Sequence, residues 1–144
     1  MHQGIVDIVW IKNEKHVVSW LLDDRNQRIW ESINKSQHED QRTDLYDSLL
    51  FLLQEAVQKD IDRLTILTRD RVLLKHLSGV WIPKKSLYVK RFEQVLSWYS
   101  HFSQLSFEPL NRNQNELGDI VQQQYMNRDR DELNDPDLAM ISFI

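Results

Sequence analysis

Residues 5–33 read IVDIVWIKNEKHVVSWLLDDRNQRIWESI, and this stretch decides the fold. Ile5 to Ile11 is a short apolar run rich in β-branched residues, which predicts a strand. Asn13-Glu14-Lys15 supplies a turn, His16 to Asp23 a second strand, Asp24 to Gln27 another turn, and Arg28 to Ile33 a third strand. Two tight connections between successive strands predict an antiparallel meander.

Working outward, Asn34 to Arg42 is polar and aperiodic and is expected to be a loop. Thr43 is the expected N-cap of a helix from Leu45 to Gln58, whose stripe of Leu45, Leu49, Leu52, Leu53 and Ala56 should drop onto the sheet. Leu64 to Thr68 predicts a fourth strand. Arg71 to Leu77 predicts a short helix, capped by Asp70 and ended by Ser78-Gly79. Val80 to Lys85, with Pro83, is irregular. Ser86 to Phe102 predicts a long helix with Leu87, Phe92, Val95, Leu96, Tyr99 and Phe102 inward. Leu105 to Pro109 completes the strands, and Glu116 to Met126 predicts a last helix. The expected class is α/β: a five-stranded mixed sheet, meander plus parallel strands, with helices on both faces. Residues 1–126 are expected to form the domain, and 127–144 an acidic linker with an apolar tail.

The composition of the 144 residues, 41% hydrophobic and 28% charged, fits one packed domain rather than a disordered chain. Most of the five tryptophans are expected in the core or half-buried. Without cysteine the chain can form no disulfide and do no thiolate chemistry, and a cytoplasmic location is the default expectation. Residues 1–11 lack a basic region followed by an apolar run, so no signal peptide is expected. No run of about 18 apolar residues exists, so no membrane span is expected. The net charge of −4 weighs against strong binding of nucleic acid by the molecule as a whole, but leaves room for a local basic face.

The element order and three segments, LYDSLLFLLQEA (45–56), RLTILTRDRVLLKHLSG (63–79) and LSFEPLNRNQNELGDIVQQQY (105–125), resemble the ribonuclease H family across residues 4–126. The resemblance implies two Mg²⁺ ions held by four carboxylates, one metal activating water and the other stabilising the leaving oxygen of a phosphodiester. Carried over residue by residue, the first acid falls on Asp7, followed by Ile8-Val9 instead of the family's Gly-Ser; an exposed strand end is the competing place for it. The second falls on Leu45, with Asp44 and Asp47 close by but better suited to the helix N-terminal dipole. The third falls on Arg69, with Asp70 one residue along, at the cap of the next helix. The fourth matches Asp119. A guanidinium in place of a carboxylate repels metal, because arginine stays protonated. Arg69 is expected to pair with Asp119, and with Asp7 if that is near. No cofactor is expected; Mg²⁺ belongs to the alternative of an active nuclease using Asp7, Asp44 or Asp47, Asp70 and Asp119 on an RNA–DNA hybrid.

Two surfaces suggest binding. Lys84, Lys85, Lys90 and Arg91, interleaved with Trp81, Tyr88 and Phe92 and extended by Arg71, Lys75 and Arg112, form a basic patch suited to RNA, DNA or a hybrid. The competing reading is a solvated helix face over core aromatics. Met140, Ile141, Phe143 and Ile144 follow an acidic stretch and would either dock on a protein partner or fold back onto the domain. Trp98, Tyr99 and Phe102 suggest a homodimer surface. The five histidines show no metal-ligand spacing, and no Gly-rich phosphate loop or Ser-His-Asp pattern occurs. The leading expectation is a catalytically inactive ribonuclease H-like module that binds nucleic acid, a protein partner or both within a larger assembly. The alternatives are the active nuclease and a pure protein-interaction domain.

Overall fold

A computed structural model of the chain describes residues 1–37 and 40–110. The first hairpin shows why the meander forms. β1 (His2–Ile11) and β2 (Glu14–Leu22) pair antiparallel with Ile11 opposite Glu14, so only Lys12 and Asn13 turn the chain. Both take positive φ, 51° and 63°, as a two-residue hairpin with right-handed twist requires. The second turn is held by Asp23, whose carboxylate accepts the N–H groups of Arg25 and Gln27 at 2.9 Å each. It leads into β3 (Arg28–Lys35), which pairs antiparallel with β2.

After α1 (Gln41–Gln58) the chain returns as β4 (Arg63–Thr68), parallel to β1, and after α2 (Arg71–Leu77) and α3 (Ser86–Trp98) as β5 (Gln104–Pro109), parallel to β4. A short 3₁₀ turn, Tyr99–His101, links α3 to β5. The strand order β3-β2-β1-β4-β5 is the expected five-stranded mixed sheet.

One face of the sheet, with Val6, Val17, Leu21 and Ile66, packs against Leu45, Tyr46, Leu49, Leu52, Leu53 and Ala56 of α1, and the same core takes in Leu73 of α2 and Val95 of α3. Gly4 permits this contact: a Cβ there would lie 2.7 Å from Ile66 Cδ1 and 2.9 Å from Leu52 Cδ2. The opposite face carries Ile5, Val9, Val18, Trp20, Leu22 and Leu67, all buried. The described helices all pack on the first face. The expected last helix (116–126), Arg112, Asp119 and the segment with Met140, Ile141, Phe143 and Ile144 lie outside the described residues. Among the described residues, no helix is long and apolar enough to cross a membrane.

Two expectations are corrected. α1 begins a turn early, with Asp40 as its N-cap, accepting the Arg42 N–H at 3.0 Å; Thr43 lies buried inside the helix. Asp47 therefore sits in the second turn, beyond the best reach of the helix dipole. In α3, Leu87 and Leu96 are exposed, and Tyr88 and Val95 are the buried residues. α3 packs mainly on the flank of α1, so its inward stripe is narrower than its apolar count implies. As expected for most of the tryptophans, Trp20 is buried and Trp30 and Trp98 are half-buried, while Trp10 and Trp81 are exposed.

Candidate functional site

The parallel pairing of β1 with β4 runs to Val6 opposite Thr68, where β4 ends. The next residue of each chain segment, Asp7 and Arg69, meets the other there. Arg69 Nε donates to Asp7 Oδ2 at 2.7 Å, and Nη2 contacts the same oxygen. The second carboxylate oxygen, Oδ1, accepts the Ile8 N–H at 2.9 Å. Asp7 is buried, not at an exposed strand end. Burial pushes its carboxyl above the usual range, while the hydrogen bond and charge of Arg69 pull it back. The pair compensates a charge that the sheet would otherwise bury alone.

Of the other described acids suggested by the sequence, Asp44 and Asp47 are held elsewhere, and Asp70 reaches Asp7 only through its charge, which raises the Asp7 carboxyl further. Leu45, on which the resemblance places the second acid, is buried among the core leucines of α1. Asp44 accepts a hydrogen bond from Ser36 Oγ. Asp47 is held by Arg91 of α3, Nε to Oδ1 at 2.7 Å. Asp70 caps α2, accepting the Leu73 N–H at 2.8 Å, and also receives Arg42 Nε at 3.0 Å. Among the described residues, no three His, Asp or Glu side chains gather closely enough to hold a metal ion. The described residues do not fit a pair of Mg²⁺ ions: one oxygen of Asp7 carries a guanidinium, and no cluster of three metal-ligating side chains forms among them.

Beside this site lies a polar network that the sequence did not reveal. Tyr88 Oη donates to Asp40 Oδ2, and Arg42 Nη1 lies 3.4 Å from the same hydroxyl. Tyr46 Oη and His76 Nδ1 share a buried hydrogen bond of 2.9 Å. The rings of Tyr46, His76 and Tyr88 lie against one another, with centroids 5.8 Å apart for His76 and Tyr88. Burial, helped by the charge of Arg42, holds His76 below its ordinary pKa, and burial raises the Tyr46 hydroxyl. Asp40 directly ahead of a helix was a readable cap signal; the Tyr46–His76 contact, 30 residues apart in sequence, had none.

Residues 71–92 hold Arg71, Lys75, Lys84, Lys85, Lys90 and Arg91 and no Asp or Glu. Arg91 is engaged by Asp47, Lys85 Nζ lies 3.4 Å from Asp40, and Lys75 Nζ sits 3.9 Å over the Trp81 ring. Arg71, Lys84 and Lys90 have no carboxylate partner among the described residues. Of the interleaved aromatics, Tyr88 is buried and Phe92 half-buried, which leaves Trp81 to meet a ligand. Trp98 and Tyr99 are half-buried and Phe102 buried, so the aromatics that suggested a dimer surface pack into their own molecule. A groove of about 930 Å³ runs along α1, lined by Asn34, Asp47, Phe51, Gln54, Gln94 and Trp98 among others; Asp7 and Arg69 do not reach it.

No family model matches the chain, and no curated protein sequence does. Solved structures do. The ribonuclease H1 of the halophilic archaeon Halobacterium salinarum superposes with a TM-score of 0.68 at 17% identity, over 80% of this chain and 89% of that one. The N-terminal ribonuclease H domain of rv2228c from Mycobacterium tuberculosis gives 0.69 at 17% identity, over 91% and 98%. LC11 ribonuclease H1, solved in complex with an RNA/DNA hybrid, gives 0.68 at 14% identity, over 89% and 98%. The chain has the ribonuclease H-like fold.

Proposed function

From this fold and its altered strand-end pair, we propose that the chain is a ribonuclease H-like module that binds a nucleic-acid backbone without hydrolysing it. The observation that carries this reading is Arg69 seated on Asp7. Two-metal hydrolysis needs carboxylates free to share Mg²⁺, and a guanidinium, which stays charged, occupies the Asp7 carboxylate. Phosphate contacts remain available from the carboxylate-free stretch 71–92, where Arg71, Lys84 and Lys90 face solvent. That a structural neighbour was solved with an RNA/DNA hybrid supports the ligand class.

The test has two arms. Incubation with an RNA–DNA hybrid and Mg²⁺ or Mn²⁺ is expected to give no cleavage. Binding of hybrid, RNA or DNA is expected to weaken steeply with salt, and Lys84→Glu with Lys90→Glu should shrink that salt slope by about 2. Metal-dependent turnover abolished by Asp119→Asn would overturn the proposal.

A further inference from the structure

The ridge at the start of α3 combines two chemistries that one nucleic acid cannot satisfy. Val80, Trp81, Ile82 and Leu87 are all exposed, with Ile82 at 83%. Lys75, Lys84, Lys85 and Lys90 lie close to them in sequence, and Lys75 Nζ sits over the Trp81 ring. A phosphate backbone would neutralise the lysines, yet aliphatic side chains neither stack on bases nor accept their hydrogen bonds. Val80, Ile82 and Leu87 would stay wet. The fitting occupant carries carboxylates followed by aliphatic and aromatic side chains.

The chain contains such a segment. Asp129, Asp131, Glu132, Asp135 and Asp137 precede Leu138, Met140, Ile141, Phe143 and Ile144. Reach is not limiting. Residues 111–128 can span about 60 Å when extended, against a radius of gyration of about 13 Å for a domain of roughly this size. We propose that residues 129–144 fold back in the same chain, their carboxylates meeting Lys84, Lys85 and Lys90 and their apolar side chains covering Val80, Ile82 and Leu87. Tethering supplies a high effective concentration, so several weak screened contacts suffice. The segment then stands where phosphates would, and it competes with them. The docking rests on charge and exposure; the competition also rests on the function proposed above.

The chain lacks cysteine, so spin labels can be placed on the full chain through Ser86→Cys and Ser142→Cys. A short, narrow distance is expected at low salt. It should broaden at high salt, in Ile82→Asp, and when Asp129, Asp131, Asp135 and Asp137 become Asn and Glu132 becomes Gln. A distance that is broad at low salt, or that none of these changes moves, overturns the docking. The same short distance between singly labelled chains places the contact between copies and overturns the intramolecular claim. With a labelled hybrid as probe, the five-amide chain is expected to bind about tenfold tighter at low salt and equally at high salt. Equal affinity at low salt overturns the competition while leaving the docking intact. Absence of binding by both chains sinks the nucleic-acid reading, and the label distances still decide the docking.

Discussion

Two arginine–aspartate pairs differ in what else holds the carboxylate. Asp70, which takes Arg42, also caps α2 through the Leu73 N–H. Among the described residues, Asp7, which takes Arg69, has beyond that only the N–H of its own neighbour Ile8. Remove Arg42 and Asp70 keeps a structural task that stabilises its charge at a helix N-terminus. Remove Arg69 and Asp7 becomes a buried charge without a counterion. The same two residue types make a redundant contact in one place and an obligatory one in the other.

The largest effect should therefore come from Arg69→Ala. Breaking a fully buried pair costs about 3–5 kcal/mol; Arg69 is partly open to water, so about 2 kcal/mol is expected in denaturant unfolding at neutral pH. The sign with pH follows from the raised carboxyl of Asp7. A folded pKa above the unfolded value gives relative stability at low pH that is lost as pH rises through it, so the deficit should shrink on acidification. Replacing both Asp7 and Arg69 by leucine should recover most of the loss. A deficit at every pH, unrescued by the double change, would break the contrast.

Arg42→Ala should cost less, about 1 kcal/mol, because Asp70 retains its cap. A cost equal to that of Arg69→Ala would show the two pairs to be equivalent. His76 sharpens the comparison through pH. Its pKa is lowered by burial and by Arg42, so its contribution is complete above about 6.5 and lost as pH falls below that value. The unfolding midpoint of the natural chain should decline across this window, and His76→Gln should flatten that decline; an unchanged slope would exclude His76 as its source. The smallest stability effect belongs to Lys84→Glu, within about 0.5 kcal/mol, since that side chain is exposed, has no ion-pair partner among the described residues, and would lose only a screened surface contact to the tail.

Much of the fold was legible because the decisive signals are local. Short apolar runs rich in β-branched residues and short polar turns announced the meander, and Asp70 announced the start of α2. The start of α1 was missed because Gln41 and Arg42 are polar and carry no stripe, and Thr43 offered a plausible cap. Leu87 and Leu96 were misplaced because apolar count does not say how wide a contact a helix makes. At the site, matching positions one by one pointed Arg69 first at Asp119, which lies outside the described residues, and at Asp7 if that was near; the contact with Asp7, 62 residues away in sequence, is the one the structure has. The Arg42–Asp70 and Tyr46–His76 contacts follow from how the helices pack on one another, and no local pattern encodes that.

The position of β1 at the centre of the sheet has a consequence during synthesis. Its first edge is filled by β2, which follows at once, but its second waits for β4, and Leu64 is the partner of His2. At about 5–20 residues per second, an emerging chain holds that edge open for roughly 2–9 s after β2 is made. An unpaired apolar strand invites other nascent chains to add to it. Asp7 is the one formally charged residue between His2 and Ile11. Before Arg69 exists, that lone carboxylate acts as a gatekeeper against misassembly; only later does it become half of an ion pair.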